Sequence, residues 1–269
     1  MAQIHPTALI EPGAHIGDDV FIGPYCVVGP EVELGHRVRL ESHVAVAGRT
    51  SIGDETRIFP FASIGHPPQD LKYKGEPSRL VIGKRNTIRE FATMNPGTEG
   101  GGMLTSVGDD CLFMACAHVA HDVHIGNRVV VVNNVLLGGH MEIGDFAVIG
   151  AGAAMHQFVR IGPHAMVGGM AAVDADVIPY GTVIGNRAYL NGLNLVGLRR
   201  RGFDREAINQ LREAYRLIFA PEGTLTQRTE DAAARYAGNQ LVQDVAAFIR
   251  KSTSRGICQP KPDAVLAAD

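Results

Sequence analysis

The sequence predicts a mainly β protein. A parallel β-helix of six-residue repeats is expected over residues 1–190, a small α-helical domain over 191–256 and a flexible tail at 257–269. Three observations predict it. A large hydrophobic residue recurs at every sixth position, from Ile4 through Ile10, Ile16, Ile22, Val28, Leu34, Leu40, Val46, Ile52 and Ile58 to Ile64. The same period returns without a gap from Val107 through Phe113, Val119, Ile125, Val131, Leu137, Ile143, Ile149, Met155, Ile161 and Val167 to Val173. After Phe203 the spacing changes to that of a helix, with Ile208, Leu211, Tyr215 and Ile218 on one face.

Within each repeat the residue four places after the anchor is small, as at Ala8, Ala14, Val20, Cys26 and Val32. Each hexad therefore offers one large and one small inward side chain, with polar residues and glycine at the turn. Gly17, Gly23, Gly29, Gly35, Gly53 and Gly65 follow their anchors, and a tight corner with φ > 0 is the expected reason. Three hexads make one 18-residue triangular coil in known hexapeptide proteins. Such coils pair only with their neighbours, so none is stable alone.

Two stretches interrupt the period. Residues 66–79 contain the charged run Gln69-Asp70-Leu71-Lys72-Tyr73-Lys74, and residues 95–106 are rich in glycine. Between them Ile82, Ile88 and Met94 keep the repeat. Both interruptions read as loops ejected from coil corners, where function concentrates. The array ends near Pro179, and residues 180–198 read as a Gly/Asn-rich connector. A helix is then expected from Asp204 as N-cap to Pro221, a second over Thr226–Tyr236 and a third over Leu241–Lys251.

Composition narrows the function classes. The 269 residues carry 45% hydrophobic side chains, only 20% charged ones and a net charge of -3, which does not suggest a nucleic-acid partner. Charge is uneven: Gly197–Gly256 holds eleven Arg/Lys against seven Asp/Glu, net +4, a surface suited to an acidic partner. No stretch of about 20 apolar residues exists, so no integral membrane segment is expected. Met1–Pro6 has neither a basic region nor an apolar one, so no signal peptide is expected. Cys26, Cys111, Cys116 and Cys258 form no CxxC pair; a cytoplasmic, reduced protein is the simplest reading. Cys26 and Cys111 occupy the small inward position and read as packing.

The chemistry gathers in the uninterrupted array. An 18-residue step advances one coil, about 4.8 Å along the axis. His121, Gly139 and Gln157 are 18 apart and should form one column at a coil corner, with Asp122 and His140 in the column beside it. None occupies an anchor position, so all should lie on one outer edge. A neutral imidazole of pKa near about 6.5 can take a proton from an alcohol. A neighbouring carboxylate can fix its tautomer, and the bare Gly139 N–H can donate to an oxyanion. No Ser or Cys stands at the equivalent corners, which favours direct attack by an acceptor over a covalent intermediate. A metal site on His118, His121, His124 and His140, as in a metal-dependent hydratase, and a non-catalytic scaffold are the alternatives. The charged loop and the arginine cluster have no use in a scaffold.

Several motifs in one order now carry a resemblance over nearly the whole chain. They are Gln69-Asp70-Leu71-Lys72-Tyr73, Ala117-His118-Val119-Ala120-His121-Asp122, Gly139-His140, His156-Gln157-Phe158 and Gly197-Leu198-Arg199-Arg200-Arg201-Gly202-Phe203. Together they resemble the UDP-N-acetylglucosamine 3-O-acyltransferase family of lipid A biosynthesis. The related N-acyltransferases usually carry an extra N-terminal uridine-binding domain, whereas hexads here begin at Ile4.

The resemblance implies a left-handed parallel β-helix, a homotrimer with active sites between subunits, and no metal or cofactor. It implies transfer of an R-3-hydroxyacyl group from acyl carrier protein to the glucosamine 3-hydroxyl of UDP-N-acetylglucosamine. Carried over residue by residue, His121 is the general base, Asp122 its orienting carboxylate and Gly139 the oxyanion donor. Asp70, His140 and Gln157 contact the sugar, with Lys72, His118 and His156 also in the substrate site. Asn194, Arg200 and Arg201 bind the nucleotide, and basic residues of the helical domain hold the carrier protein. Val196 stands where better-known members place a Glu near the uridine, so one nucleotide contact is missing. Gly169, with Met170 alongside, aligns with the position that measures acyl length, and a glycine there implies a longer chain of about C12 to C14 by this analogy.

Overall fold

The six-residue repeat folds as one two-residue strand and one corner. In the computed structural model, which describes residues 1–251 and 253–261, the anchor is the last residue of its strand, as in Phe21–Ile22, Arg39–Leu40 and His118–Val119. From Ile22 onward every anchor is buried. Ile4 is 46% exposed because no coil precedes its own. Strands three repeats apart pair in parallel, Leu112 with Val130, Val130 with Val148, Val148 with Met166. The result is three sheets of 11, 9 and 8 strands around one core, a parallel β-helix of triangular section. The first sheet runs from Gln3–Ile4, the second from Leu9–Ile10 and the third from His15–Ile16.

Of the six glycines named above only Gly65 has the expected φ > 0, at 78°. The left-handed backbone, φ 55–68°, falls three residues after the anchor, on Cys116, Asp122, Asn134, His140, Phe158 and Met170. Such residues cost about 1–2 kcal/mol each. A hydrogen-bond ladder between coils offsets this, for example His140 N–H to His121 O at 3.0 Å and Phe158 N–H to Gly139 O at 2.9 Å. Gly17, Gly23, Gly53 and Gly108, directly after their anchors, lack positive φ. A Cβ on any of them would lie 2.6–2.7 Å from backbone of the next coil. Close approach of coils, not chain reversal, requires those glycines.

The residue before each anchor points outward, and the three faces differ. Leu112, Val130, Val148 and Met166 make the later first sheet apolar, and Leu136, Ala154 and Ala172 do the same for the second. The third carries Glu33, Ser51, Ser106, His124 and Glu142.

The expected connector after Pro179 is more ordered than a linker. Gly181–Ile184 extends the first sheet and pairs antiparallel with Tyr189–Leu193. Helix α1, Leu195–Arg200, follows, its N-cap Asn194 accepting from Gly197 N–H. Helices α2 (Arg205–Ile218), α3 (Leu225–Arg235) and α4 (Gln240–Arg250) lie within a few residues of expectation. Asp204 caps α2 through Ala207 N–H, and Thr224 with Gln227 forms a capping box on α3.

The tail is also corrected. Ile257 bridges Asp176, Leu190 N–H donates to Gln259 O at 2.9 Å, and Cys258 is buried. Residues 257–259 are thus held on the solenoid; 262–269 lie outside the described residues. The clasp is anchored by Asp176, fully buried, which accepts from Arg160 N–H at 2.8 Å, Arg160 Nε–H at 2.9 Å and Thr253 O–H at 2.7 Å.

Candidate active site

Both ejected loops and the histidine cluster share one edge. The chain leaves the second sheet at Ser63–Ile64 and Thr93–Met94 and re-enters the third at Arg79–Ile82 and Leu104–Val107. The next corner on that edge, after His118–Val119, holds His121 and Asp122; the following two hold Gly139-His140 and Gln157-Phe158. The loops are tied to each other by Glu99 N–H to Glu76 Oε1 at 3.1 Å. Asn95 Nδ2 donates to His66 O at 3.0 Å, fixing the base of the first loop.

Asp122 is 2% exposed and organises the cluster. Its left-handed backbone turns the side chain back toward its neighbour, so His121 Nδ1 lies 2.8 Å from Asp122 Oδ2. The carboxylate also accepts the Thr98 O–H at 2.6 Å and the Thr98 N–H at 2.9 and 3.1 Å. Asp122 N–H donates to Thr105 Oγ1 at 2.7 Å. An ionised carboxylate only accepts, so Nδ1 of a neutral His121 carries the proton and Nε2 presents its lone pair. That Nε2 faces Asp70 Oδ2, 3.8 Å away, too far for a direct hydrogen bond.

Gly139 lies against the same ring. A Cβ there would fall 2.7 Å from His121 Cε1 and 2.9 Å from Nε2. Among the described residues no protein acceptor takes the Gly139 N–H, and the same holds at the equivalent corner residues Ala115 and Asn133. Corner N–H groups elsewhere are used, as at Asp109 and Asn127, which donate to the side chains of Asn127 and Asp145; at Gly139 the N–H is left open, beside an imidazole.

His140 completes the group, edge-on to His121 at 4.9 Å and stacked on Phe158 at 4.4 Å. Burial holds its imidazole below the ordinary value, with the Asp122 carboxylate opposing. His118 lies on the outer face of the second sheet, 2.7 Å from Thr93 Oγ1, and burial lowers its pKa as well. Lys72 is exposed, its N–H bonded to Asp70 Oδ1 at 3.0 Å. His156 and Gln157 are exposed beside the cluster's last corner, His156 Nδ1 lying 3.2 Å from Gln157 O.

The four-histidine metal set does not converge. His118 and His124 lie on faces to either side of the edge, bonded to Thr93 and Ser106. His121, Asp122 and His140 do bring ligand atoms within 4.8 Å of one another. Asp122 Oδ2, however, is already the acceptor for His121 and Thr98.

The remaining predicted residues lie elsewhere on the chain. Asn194, Arg200 and Arg201 flank the edge between the third and first sheets, where Arg201 Nη2 donates to Phe146 O at 3.0 Å and sits over the Phe146 ring. Asn194 spends its side chain on the α1 cap and on His164 O at 2.9 Å. With Val148, Met166 and Thr182 these residues line a groove of about 780 Å³ over the outer face of the first sheet. Gly169 and Met170 are exposed on the third edge, between the first and second sheets. One chain therefore carries the three predicted parts of the site on three separate edges.

Sequence reasoning missed Thr98, Thr105 and Phe158 as partners. Thr98 sits inside the glycine-rich loop that had been singled out, but no period relates it to Asp122. Phe158 was legible: it stands 18 residues after His140, in the same column.

The chain matches the family model described as UDP N-acetylglucosamine O-acyltransferase, domain 2, over residues 176–258, and the bacterial transferase hexapeptide model over 13–48 and 105–139. It is 50% identical over 261 residues to an acyl-[acyl-carrier-protein]--UDP-N-acetylglucosamine O-acyltransferase of Burkholderia lata, covering 96% of this chain and 99% of the relative. The Paracoccus denitrificans protein of the same description is 52% identical over 205 residues, 76% of this chain and 77% of the relative. Among solved structures, a UDP-N-acetylglucosamine acyltransferase superposes with TM-score 0.93 at 44% identity, over 96% of this chain and 99% of that one. The Campylobacter jejuni enzyme of that description gives 0.91 at 39%, over 96% and 100%.

Proposed function

Because the chain belongs to the acyl-[acyl-carrier-protein]--UDP-N-acetylglucosamine O-acyltransferase family, we propose that its His121 edge transfers a 3-hydroxyacyl group from carrier protein to the 3-hydroxyl of UDP-N-acetylglucosamine. This reaction opens lipid A biosynthesis, as the sequence resemblance implies, and places the enzyme in the cytoplasm. Among the described residues no helix is long and apolar enough to cross a membrane.

One observation carries the mechanism: His121 Nδ1 is committed to Asp122 at 2.8 Å, which leaves Nε2 basic beside the bare face of Gly139. In this reading the sugar hydroxyl sits between His121 Nε2 and Asp70. Nε2 takes its proton as the oxygen attacks the thioester carbonyl. The oxyanion accepts the Gly139 N–H, and the imidazolium then returns the proton to the departing thiolate. A positioned base of this kind contributes about 10²- to 10⁴-fold. His140, Gln157, Lys72, His118 and His156 border the same approach and are assigned to the substrate.

A homotrimer resolves the separation of the parts. Gly169 and Asn194-Arg200-Arg201 lie on the two edges that bound the first sheet, and His121 on the edge opposite it. Packing the first sheet of one subunit against the His121 edge of the next would bring all three together around the 780 Å³ groove. The apolar outer faces of the first and second sheets, against the polar third, support that packing. Arg199, Arg205 and Arg212 border a further groove of about 460 Å³, a basic surface for the acidic carrier protein.

The direct test is His121→Ala, assayed for ester formation with 3-hydroxyacyl carrier protein. We expect a loss of at least about 100-fold in kcat with the assembly intact. Turnover near wild type would overturn the base assignment.

A further inference from the structure

We infer that Thr98, in the loop ejected two corners before Gly139, is a positioning residue for the acyl transfer: it fixes the Asp122 carboxylate so that it serves His121 rather than His140. This rests on His121 being the base. The geometry sets up a competition. Asp122 Oδ2 is 2.8 Å from His121 Nδ1 and 3.8 Å from His140 Nδ1, and the two imidazoles are only 4.9 Å apart. At these distances Asp122 Oδ2 bonds His121 and not His140, and a small rotation of the carboxylate plane would move an oxygen away from the first ring and toward the second. Thr98 opposes that rotation with two donors. Its N–H reaches both oxygens, at 2.9 and 3.1 Å, and its O–H reaches Oδ2 at 2.6 Å.

The loop is shaped for this contact. A Cβ at Gly97 would lie 2.8 Å from Asp122 Oδ1, and one at Gly101 would collide with the Asp122 carboxylate itself. The backbone of 97–101 thus closes directly over the carboxylate, and Thr98 is 6% exposed beneath that cover. The solenoid cannot supply such a partner. The column of Asp122 continues into His140 and Phe158, and its own N–H is used by Thr105 Oγ1. An uncovered carboxylate at a coil corner would be solvated and free to turn. The excursion of the chain at 95–103 supplies a donor pair and removes water from the same group.

The consequence is specific. Without the Thr98 hydroxyl, His121 keeps its place in the coil but loses the single orientation of its Nδ1 partner. Chemistry should suffer and substrate binding should not. Thr98 has φ −130°, so valine fits its backbone, is of similar size and removes the O–H alone. We expect Thr98→Val to lower kcat about 10-fold with KM for UDP-N-acetylglucosamine unchanged, the effect of one charge-assisted hydrogen bond. Thr98→Ser, which keeps the hydroxyl, should restore most of the rate. In an Asp122→Ala background the valine change should add no further loss, because Thr98 acts through that carboxylate. Imidazole ¹⁵N spectra of histidine-labelled protein should show His121 as the Nδ1–H tautomer in the parent and a mixture in Thr98→Val.

Wild-type kcat in a folded Thr98→Val protein overturns the inference, as does a full additional loss in the Asp122→Ala background or a serine variant no better than valine. If His121→Ala itself turns over normally, the base assignment fails first and this inference with it. If His121→Ala is inactive while Thr98→Val is normal, only Thr98 is wrong.

Discussion

Gly139 and His121, one coil apart, touch so closely that no side chain fits between them: a Cβ on Gly139 would lie 2.7 Å from His121 Cε1 and 2.9 Å from Nε2. The Gly139 backbone has no positive φ, so alanine is permitted by conformation and excluded by the ring. Gly139→Ala should therefore fold normally and displace the imidazole by a fraction of an ångström to an ångström. A displacement of that size costs about 100-fold in rate. Comparing kcat and thermal midpoint of the variant separates the two; an unchanged kcat contradicts the role given to the open face.

Complementation tests the division of the site between edges. His121→Ala and Arg201→Ala each remove one part, and the parts lie on different edges of one chain. Refolding the two variants as an equal mixture should recover activity at about a quarter of the sites, where an intact His121 edge meets an intact Arg201 groove in a symmetric ring. Recovery is read as turnover against each variant refolded alone. No recovery would place the whole site in one subunit.

His118 and His140 give the pH dependence of stability a sign. Burial lowers both from the ordinary value of 6.5, so the unfolded chain binds more protons than the native one just below that pH. The stability linked to neutral His118 and His140 is complete above pH 6.5 and is lost as pH falls through their lowered values. The thermal midpoint should fall on acidification below pH 6.5, and His118→Gln with His140→Gln should flatten that slope. A steeper slope in the double variant would reverse the assignment.

The Asp176 clasp should dominate the stability of the C-terminal segment. Arg160 and Asp176 are both buried, and removing either leaves the other unpaired, a loss of about 3–5 kcal/mol. Arg160→Ala should lower the unfolding midpoint and open 253–261 to protease before the solenoid is cut. Proteolysis followed by mass analysis of the fragments gives the order; simultaneous cleavage throughout would contradict it.

The role expected of Gly169 in acyl length is open to a direct test. Gly169 is exposed, and a Cβ there would lie 3.2 Å from Ala151 O and 3.9 Å from Ala151 N, so a larger side chain is accommodated by a shift of a few tenths of an ångström at Ala151. The parent should prefer C14 over C10 thioesters, and Gly169→Met should shift the ratio toward C10. A parent preference for C10 would remove Gly169 from this role.

The hexad period by itself determined the solenoid, its inward anchors, and the meeting of His121 with Gly139 and of Asp122 with His140. Each of these is a relation between repeats, and a constant step of 18 residues converts sequence distance directly into stacking. The helical domain was legible for a similar local reason, from Asp204 as cap and from Ile208, Leu211 and Ile218 on one face. Tertiary structure alone decided where the chain leaves that period. The return of Thr98 onto Asp122, the approach of Asp70 to His121 and the strapping of Ile257 to Asp176 depend on the path of irregular backbone, for which no spacing rule exists. It also decided why glycine follows the anchors, since contact with the next coil is set by the distance between layers and leaves no mark within a single repeat. The seating of Arg201 against Phe146, on an edge apart from His121, was decided there too, because the helical domain lies outside the period; Gly169, in register with the hexads, was placed by counting.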